Sequence, residues 1–253
     1  MPRPCRMPGG PARPLTEAAA PGAALATGGP AIPAMLVSMT RLLPLFLLTL
    51  GLASAQAPPP GRIEAFGHTW RVPVAADWKL ETKDGVPVLD LIVPRPALQP
   101  RRPSQFAVAE TPDFLRGVIE LEVKKEPATA RDRRTSLMIA YAWKDPGHFN
   151  YAHLSVDTAA EQVVHNGIFH VYGGERVRIS SREGPASLPD ENWHKVRLVY
   201  DGAKGLVEVF VDGRTSPSLR AVDLSLGAGR FGIGSFFDMG SFRNVKITGE
   251  PIK

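Results

Sequence analysis

The feature that most constrains the fold is the alternation of apolar and polar residues along residues 193–214, WHKVRLVYDGAKGLVEVFVDGR. The apolar positions recur at every second residue in two runs: Val196, Leu198 and Tyr200, then Val207, Val209 and Val211. A period of two buries one side of a strand and leaves the other side wetter. Gly202 and Gly205 supply the backbone freedom that the intervening turn requires. This segment is therefore predicted to be an antiparallel β-hairpin.

The same pattern recurs along the chain from residue 62 onward. Short runs rich in Val, Ile, Phe and Tyr occupy residues 63–72, 77–93, 117–126, 136–143, 149–156, 161–174, 175–180, 229–236 and 241–249. Glycine-containing turn steps separate them, and no long window beyond the leader keeps apolar residues at helical spacing. Closely spaced prolines predict a loop over residues 94–103. The expected fold class is all-β, an antiparallel two-sheet β-sandwich of the jelly-roll type.

The N-terminal residues have the composition of a leader. Residues 1–38 are rich in Pro, Gly and Ala and hold too little apolar surface to order themselves, which predicts a disordered leader or an over-extended reading of the gene. Residues 39–55 join a basic start, an apolar run and Ala53-Ser54-Ala55, the pattern of a signal peptide. Residues 56–61 are a predicted linker, and residues 62–253 a single β-sandwich domain. We expect a secreted or periplasmic protein without a membrane span after signal removal.

Charge and cysteine content narrow the classes of function. The formal net charge is +5, and residues 1–55 hold four basic residues and one acid: Arg3, Arg6, Arg13, Arg41 and Glu17. The rest of the chain keeps only a slight positive excess, which gives no support for nucleic-acid binding. The single cysteine, Cys5, also lies in the leader. A mature chain without cysteine has no disulfides and depends on its core for stability.

The hairpin and its flanks resemble a known family. Trp-His-x-Val-x-Leu-x-Tyr-Asp-Gly followed by Val-x-Val-Phe-Val-Asp-Gly is similar to the signature of laminin-G-like jelly rolls, which belong to the concanavalin A-like lectin/glucanase superfamily. Residues 136–156 resemble that family's paired strands around an Asp-Pro turn, and residues 229–249 its final strands. The last portion is also similar to 3-keto-disaccharide hydrolase-like domains. The resemblance covers roughly residues 78–252.

This resemblance implies a fold more than an activity, because the superfamily includes lectins, glycosidases, lyases and protein-binding modules. Calcium is common in the superfamily and needs several clustered oxygen ligands. The candidate aspartates are instead scattered singly beside turn glycines or prolines: Asp145, Asp201, Asp212 and Asp238. No cofactor is therefore expected, and a structural calcium ion is without support in the sequence.

Aromatic and histidine side chains suggest a ligand site. Strand parity places residues of three runs on shared faces in pairs: Tyr141 with Trp143, Tyr151 with His153, and His170 with Tyr172. His165 is expected on the opposite face of the strand that carries His170. Aligned on neighbouring strands, the six paired residues would line a groove of rings and imidazoles that suits the C–H faces and hydroxyls of sugars. The alternative is that they pack in the core or at its rim, with the histidines hydrogen-bonded locally.

Two catalytic or metal patterns are weaker. Residues 120–126, ELEVKKE, place Glu120 and Glu122 on one face, as in the Glu-x-Asp-x-Glu strand of family 16 glucanases. The third position is Lys124 or Lys125, which cannot act as the acid/base carboxyl, so a charged outer strand face is favoured and the catalytic residues stay unknown. No His-x-His pair exists among the histidines, so no metal site is predicted.

The sequence thus favours an exported carbohydrate-binding module that acts through its concave sheet and has no catalytic activity of its own. The alternatives are a glycoside hydrolase of the 3-keto-disaccharide hydrolase-like type and a laminin-G-like protein-interaction module. Two basic clusters, residues 101–104 and 130–134, are solvated loops or contacts for acidic glycans or lipopolysaccharide. The expected partner is a carbohydrate or glycan rather than a nucleic acid, and the sequence indicates no oligomeric state.

Overall fold

Strands make up nearly all the regular structure in the computed structural model, which describes residues 60–96, 98–126, 136–161, 163–236 and 238–252. These ranges belong to one compact unit, Ser54–Lys253. The predicted leader, the signal peptide, the first four linker residues and the basic cluster at residues 130–134 lie outside the described residues. Within the described ranges, the only helical element is a 3-10 turn at Ala75–Asp77, and no helix is long and apolar enough to cross a membrane.

Fifteen strands are present in the described ranges. They are β1 (Gly61–Ala65), β2 (His68–Val72), β3 (Trp78–Lys83), β4 (Val86–Leu91), β5 (Gln105–Ala109), β6 (Phe114–Lys125), β7 (Ser136–Asp145), β8 (His148–Ser155), β9 (Gly167–Tyr172), β10 (Val177–Arg178), β11 (His194–Asp201), β12 (Leu206–Val211), β13 (Leu219–Val222), β14 (Arg230–Ser235) and β15 (Gly240–Pro251).

The strands form two sheets in which every pairing is antiparallel. The eight-stranded sheet has the order β1-β2-β5-β14-β7-β8-β9-β10, and the seven-stranded sheet has the order β13-β12-β11-β6-β15-β4-β3. Some neighbouring strands are distant in sequence, such as β14 beside β7 and β15 beside β6. The chain therefore crosses repeatedly between the two sheets. The predicted all-β two-sheet sandwich is confirmed.

The hairpin predicted from residues 193–214 is β11 and β12, paired from Val196↔Val211 to Asp201↔Leu206. Burial alternates along both strands as the sequence predicts, with the valine side facing inward. Gly205 has a φ of 63°, and a Cβ there would lie 2.5 Å from the Asp223 carbonyl oxygen. Glycine is therefore required at this turn for both conformation and space.

Several predicted boundaries differ from the observed ones. Residues 63–72 and 77–93 each form a hairpin rather than one run, turning at Phe66-Gly67 and Asp84-Gly85, where all four residues have positive φ. Strands β5 and β13 are absent from the sequence-based assignment. The described residues of the proline-rich segment 94–103 contain no strand, so the predicted loop is confirmed there.

One hydrophobic core fills the space between the two sheets. It combines buried side chains from both, such as Ile139 and Leu154 from the larger sheet and Ile119 and Leu198 from the smaller one. Burying each such side chain contributes about 1.5–3 kcal/mol. Since a single cysteine cannot form a disulfide within the chain, this core is the main source of stability for the sandwich.

A second apolar cluster covers the opposite, outer face of the eight-stranded sheet. Its members come from β5, β7, β8 and β9, with one residue from the loop after β14: Phe106, Val108, Met138, Ala140, Trp143, Phe149, Tyr151, Phe169, Val171 and Phe236. We call this set the outer aromatic layer. Because both faces of β7 and β8 are buried, these strands lack the polar face that an open sheet would show.

Candidate functional site

A cleft of about 520 Å³ opens on the outer face of the eight-stranded sheet, at one end of the outer aromatic layer. Phe106, Val108 and Trp143 contribute apolar side chains to its lining. Its walls come from the end of β2, the loop before β5, the β7–β8 turn and the start of β14. Ligand sites typically have volumes of 300–1,000 Å³, with mostly apolar linings and a few polar groups. We call this space the outer cleft.

The proline-rich loop that forms one wall of the outer cleft is anchored at its base. Arg95 donates two hydrogen bonds to the buried carboxylate of Asp77, at 2.8 and 2.6 Å. The side-chain amide of Gln105, the first residue of β5, donates to the Val93 carbonyl oxygen at 2.7 Å. A fork of two parallel hydrogen bonds fixes direction as well as distance, so both ends of the loop are held against the sheet.

A β-bulge at Ala142 brings Trp143 to the outer cleft. Ala142 has a φ of 50°, and the pairing of β7 with β8 shifts register between Tyr141 and Asp145. The extra residue reverses the alternation, so Tyr141 faces the core between the sheets whereas Trp143 joins the outer aromatic layer. The expectation that Tyr141 and Trp143 share a face is therefore wrong. Among the six predicted ligand residues, Trp143 is the one that lines the cleft.

Tyr151 and His153 share the outer face of β8, as strand parity predicts, while Ala152 and Leu154 face the core. Both are nevertheless buried, with exposures of 0% and 1%. The Tyr151 ring stacks on Phe169 with centroids 5.3 Å apart. The groove lining expected of Tyr151 and His153 is thus closed over, because other parts of the chain pack on top of this face.

Arginines from two loops form that cover. The Arg176 guanidinium lies over the Phe236 ring at 4.4 Å and over the Phe169 ring at 5.3 Å, and it donates to the Tyr151 hydroxyl at 3.5 Å. Arg101 approaches the Phe236 ring from the proline-rich loop at 5.7 Å. Cation–π contacts of this kind let charged side chains cover apolar rings while their polar ends reach water.

His153 is part of a buried polar chain at the far end of this layer. The Ser136 hydroxyl donates to Asp238 at 3.2 Å and therefore accepts a hydrogen bond from the Nε2–H of His153. The His165 ring lies 5.1 Å from the His153 ring. Burial, followed by the charges of His165 and Arg176, lowers the pKa of His153 well below its ordinary value. His153 is accordingly a neutral residue of the interior at neutral pH.

The remaining predicted residues, His170 and Tyr172, lie on the inner side of β9 and not at the outer cleft. Their rings stack 5.7 Å apart, which confirms that they share a face. His170 Nδ1 contacts Asn150 Oδ1 at 2.8 Å and Asp223 Oδ2 at 2.9 Å. Tyr172 is 61% exposed at the edge of the sandwich. The predicted single groove of six residues is therefore divided between two faces of the sheet.

Asp223 is the charged centre of this inner group. Burial by itself would raise the pKa of Asp223, but the backbone N–H of Ser225 and the Asn150 amide donate hydrogen bonds that lower it below its ordinary value. The Ser225 hydroxyl also donates to Asp223, at 2.9 Å. Serine and aspartate meet the same nitrogen of His170, so the three do not form the serine–histidine–aspartate relay of a hydrolase.

Three further histidines are held by local carboxylates, as the alternative interpretation expected. His148 contacts Asp145 at 3.0 Å, and His165 contacts Asp157 at 3.3 Å. His165 precedes β9 instead of lying on the strand, which corrects the sequence assignment. His194 bridges Asp212 at 2.8 Å and Asp190 at 3.0 Å. Across the described ranges, no group of three or more His, Cys, Asp or Glu residues is arranged to hold a metal ion.

Glu120 and Glu122 lie together on the outer face of β6, in the seven-stranded sheet. Arg243 donates to Glu122 at 2.8 Å, and Asn244 donates to it at 3.1 Å. Burial raises the pKa of Glu122, but these two partners outweigh burial, and the pKa is lowered overall. The favoured interpretation of residues 120–126 as a charged, paired strand face agrees with these contacts.

Most residues of the outer cleft carried no signal of their own in the sequence. Phe106 and Val108 lie in a short run that is buried on both sides, where no alternation marks a strand. Arg71 and Arg230 lie at strand ends far apart in the chain. The basic cluster at residues 101–104 was the available signal, because Arg102, Pro103 and Ser104 form part of the cleft wall.

Together these features define a class of protein, a two-sheet antiparallel sandwich with an aromatic cleft on the outer face of its larger sheet. No protein-family model and no curated protein sequence matches the chain. Several solved structures are similar to this chain over part of its length, at low sequence identity.

Three of these structures illustrate the similarity. The carbohydrate-binding module CBM66 from Bacillus subtilis has a TM-score of 0.49 at 12% identity, covering 71% of this chain and 95% of that one. The GH43 protein BlXynB from Bacillus licheniformis has a TM-score of 0.46 at 10% identity over 72% of this chain, and the match spans 37% of that protein. Lectin I-B4 from Griffonia simplicifolia has a TM-score of 0.42 at 10% identity, covering 68% and 91%.

Proposed function

We propose that the protein is an exported carbohydrate-binding module whose ligand site is the outer cleft. The observation that carries this proposal is the lining of the cleft, where Trp143 and Phe106 lie beside polar side chains such as Ser104 and Arg102. Sugars present C–H faces to aromatic rings and hydroxyls to directional donors and acceptors. The cleft offers both kinds of contact in a volume of about 520 Å³.

Binding is favoured over cleavage by the distribution of carboxylates. Glycosidic hydrolysis usually needs two carboxyl groups on opposite sides of the bond. Asp145 is the one carboxylate among the described residues that line the cleft, and it contacts His148 and the Gly147 backbone N–H. The His170–Asp223 pair lies on the other face of its strand, away from the cleft. These placements support a module that holds its ligand intact.

Replacing the cleft tryptophan tests the site. We expect Trp143→Ala to weaken binding to the recognised glycan by at least about tenfold, since a large apolar contact is lost. The matched control is Trp193→Ala, because Trp193 lies under Arg243 away from the cleft. Affinity would be measured by titration calorimetry with ligands selected on a glycan array, and folding of each variant checked by circular dichroism.

Because Trp143 also packs on Phe149, with ring centroids 4.5 Å apart, a second variant separates binding from stability. Ser104→Tyr would fill the mouth of the cleft without removing a ring from the outer aromatic layer. Equal affinity in the parent, Trp143→Ala and Ser104→Tyr proteins would refute the site.

Enzymatic activity is tested separately by incubating the protein with oligosaccharide pools that include oxidised disaccharides. The proposal predicts that masses recovered by mass spectrometry are unchanged. Turnover would favour the 3-keto-disaccharide hydrolase-like alternative instead. The absence of binding to a broad glycan array, together with specific and saturable binding to a purified envelope protein, would favour the laminin-G-like interaction module.

A further inference from the structure

The outer cleft has an excess of positive charge beside its apolar lining. Its lining includes four cationic side chains and one carboxylate: Arg71, Arg102, Lys144, Arg230 and Asp145. A neutral sugar needs hydrogen-bond donors but gains little from full charges, whereas an anionic ligand gains from each cation that faces it. The charges therefore bear on which saccharide the cleft accepts.

Carboxylates around the cleft only partly balance these cations. Glu110 is shared between Arg62 and Arg71, at 3.0 and 3.1 Å. Asp113 is likewise shared between Lys144 at 2.9 Å and Arg230 at 3.7 Å. Each of these carboxylates meets two cations, so positive charge remains uncompensated at the rim.

Two arginines retain donors that the protein itself does not use. Arg102 has no carboxylate partner among the described residues, and its one hydrogen bond goes to the Gly173 carbonyl oxygen at 3.4 Å. The Nε of Arg230 is buried 3.7 Å from Asp113, and one terminal nitrogen donates to the Lys144 carbonyl oxygen at 3.2 Å. The side chain is 25% exposed, and its other terminal N–H groups are the donors that a bound anion would use.

Other arginines on this face show what a purely structural role looks like. Arg176 lies over the rings of Phe236 and Phe169 and thereby covers part of the outer aromatic layer. Arg178 donates to the carbonyl oxygens of Asn166 and Ser181, at 2.8 and 2.7 Å. Among the described residues Arg102 covers no aromatic ring, and its one hydrogen bond to a carbonyl oxygen is long, at 3.4 Å, although it lies in the cleft wall.

We propose that the outer cleft is specific for acidic saccharides, with Arg102 and Arg230 binding a carboxylate or sulfate group on the sugar. This inference rests on the proposed carbohydrate binding at the same cleft. A guanidinium offers a planar fork of donors that matches such anionic groups, and the aromatic lining contacts the ring of the same sugar residue. A polymer with an acidic group on each repeat would place one such group at the arginines in any register.

The test compares ligands that differ only in charge. A panel of oligouronates would be titrated against their own methyl esters, which keep the ring stereochemistry and lose the charge, and a second panel would pair sulfated with unsulfated oligosaccharides. We expect the acidic member of a pair to bind at least about tenfold more tightly, with affinity falling as salt is raised from low to physiological strength. The panel with the larger preference identifies the acidic group as carboxylate or sulfate.

Variants then assign the preference to a residue. Arg102→Gln should reduce affinity for the acidic ligand about ten- to a hundredfold and leave that for the neutral ester within about threefold, since a charge-assisted hydrogen bond is lost. Arg102→Lys should restore part of the preference because it keeps charge without the fork. Arg214→Gln, at an exposed arginine in the turn after β12, is the control with the same change in charge and should behave as the parent.

The outcomes separate this inference from the proposed function. Equal or tighter binding of the neutral esters, or an unchanged preference in Arg102→Gln, would overturn acidic specificity while leaving carbohydrate binding intact. An absence of binding to every acidic and neutral saccharide would instead overturn the proposed function, and acidic specificity with it.

Discussion

At the scale of single residues, His153 shows how burial decides the state of a side chain. The polar and charged groups around it are Ser136 from β7, the ring of His165, and the guanidinium groups of Arg176 and Arg178. The positive charges of the two arginines disfavour protonation of the imidazole. Burial and these like charges together lower the pKa of His153 well below its ordinary value. The unfolded chain has no such environment, so the two states bind protons differently in acid.

This difference predicts a pH dependence of stability. Above about pH 6.5 the imidazole is neutral in both states and contributes nothing. Below that pH the unfolded state binds a proton that the folded state refuses, so the free energy of unfolding falls as pH falls, by up to about 2 kcal/mol at pH 5. Urea unfolding at pH 7.5 and pH 5.0 should show a smaller loss for His153→Gln than for the parent. His148→Gln, at a half-buried histidine outside this polar chain, should keep the parent's loss. Identical losses in both variants would contradict this explanation.

Residue types alone did not reveal which side chains are accessible. The alternation correctly placed Tyr151 and His153 opposite Ala152 and Leu154, because parity within a strand follows from the pleat. It could not show that Arg176 and other loop residues would cover that face. The burial of a side chain depends on contacts between residues far apart in the chain, and a local sequence pattern carries no information about such contacts.

At the scale of elements, the bulge in β7 decides which aromatic residue reaches the outer cleft. Gly229, just before β14, lies against this bulge and exchanges backbone hydrogen bonds with Phe114 at 2.9 and 3.1 Å. A Cβ on Gly229 would overlap the backbone of Ala142 and Trp143. The bulge and this glycine are therefore two parts of one arrangement.

We predict that Gly229→Ala displaces the bulge. The overlap should cost about 1–3 kcal/mol of folding free energy, as overpacking generally does, and should move Trp143 away from the cleft. Glycan affinity should fall together with the unfolding midpoint, and tryptophan fluorescence should change. Gly174→Ala is the control, since a Cβ there meets no atom within 4 Å. Parent-like affinity and stability in Gly229→Ala would show that the bulge tolerates the methyl group.

The elements that the sequence predicted best are those with one wet face. The hairpin β11–β12 alternates cleanly and was assigned with nearly the observed boundaries. In contrast, β5 is buried at all five positions and shows no alternation. Burial alternates along β13, but this strand spans only four residues, which is too short for the pattern to mark a strand in the sequence. The register shift near Ala142 could not be foreseen either, because nothing in the composition of residues 136–145 marks an extra residue.

At the scale of the whole molecule, the two faces of the eight-stranded sheet serve different purposes. The inner face builds the core with the other sheet, and the outer face carries the outer aromatic layer and the outer cleft. The resemblance noted in the sequence indicated the sandwich, yet it could not locate the cleft. Its walls come from loops whose lengths and residues vary independently of the fold.

The signal-peptide pattern of residues 39–55 predicts export of the whole chain. We propose a secreted or periplasmic location, and we expect the mature protein to begin at Gln56 after cleavage following Ala53-Ser54-Ala55. N-terminal sequencing and intact mass of protein recovered from the cell exterior or periplasm would establish the first residue. Retention in the cytoplasm with residues 39–55 still attached would contradict export.

The proline-rich wall of the outer cleft has a consequence for recognition. Pro94, Pro96, Pro100 and Pro103 restrict the backbone of this loop, and Arg95 ties it to Asp77. A loop that is already held in place before binding loses little conformational entropy when a ligand binds. Most of the conformational entropy lost on binding then comes from the glycosidic torsions of the saccharide. Rigid oligosaccharides should therefore dissociate more slowly than flexible ones of equal length.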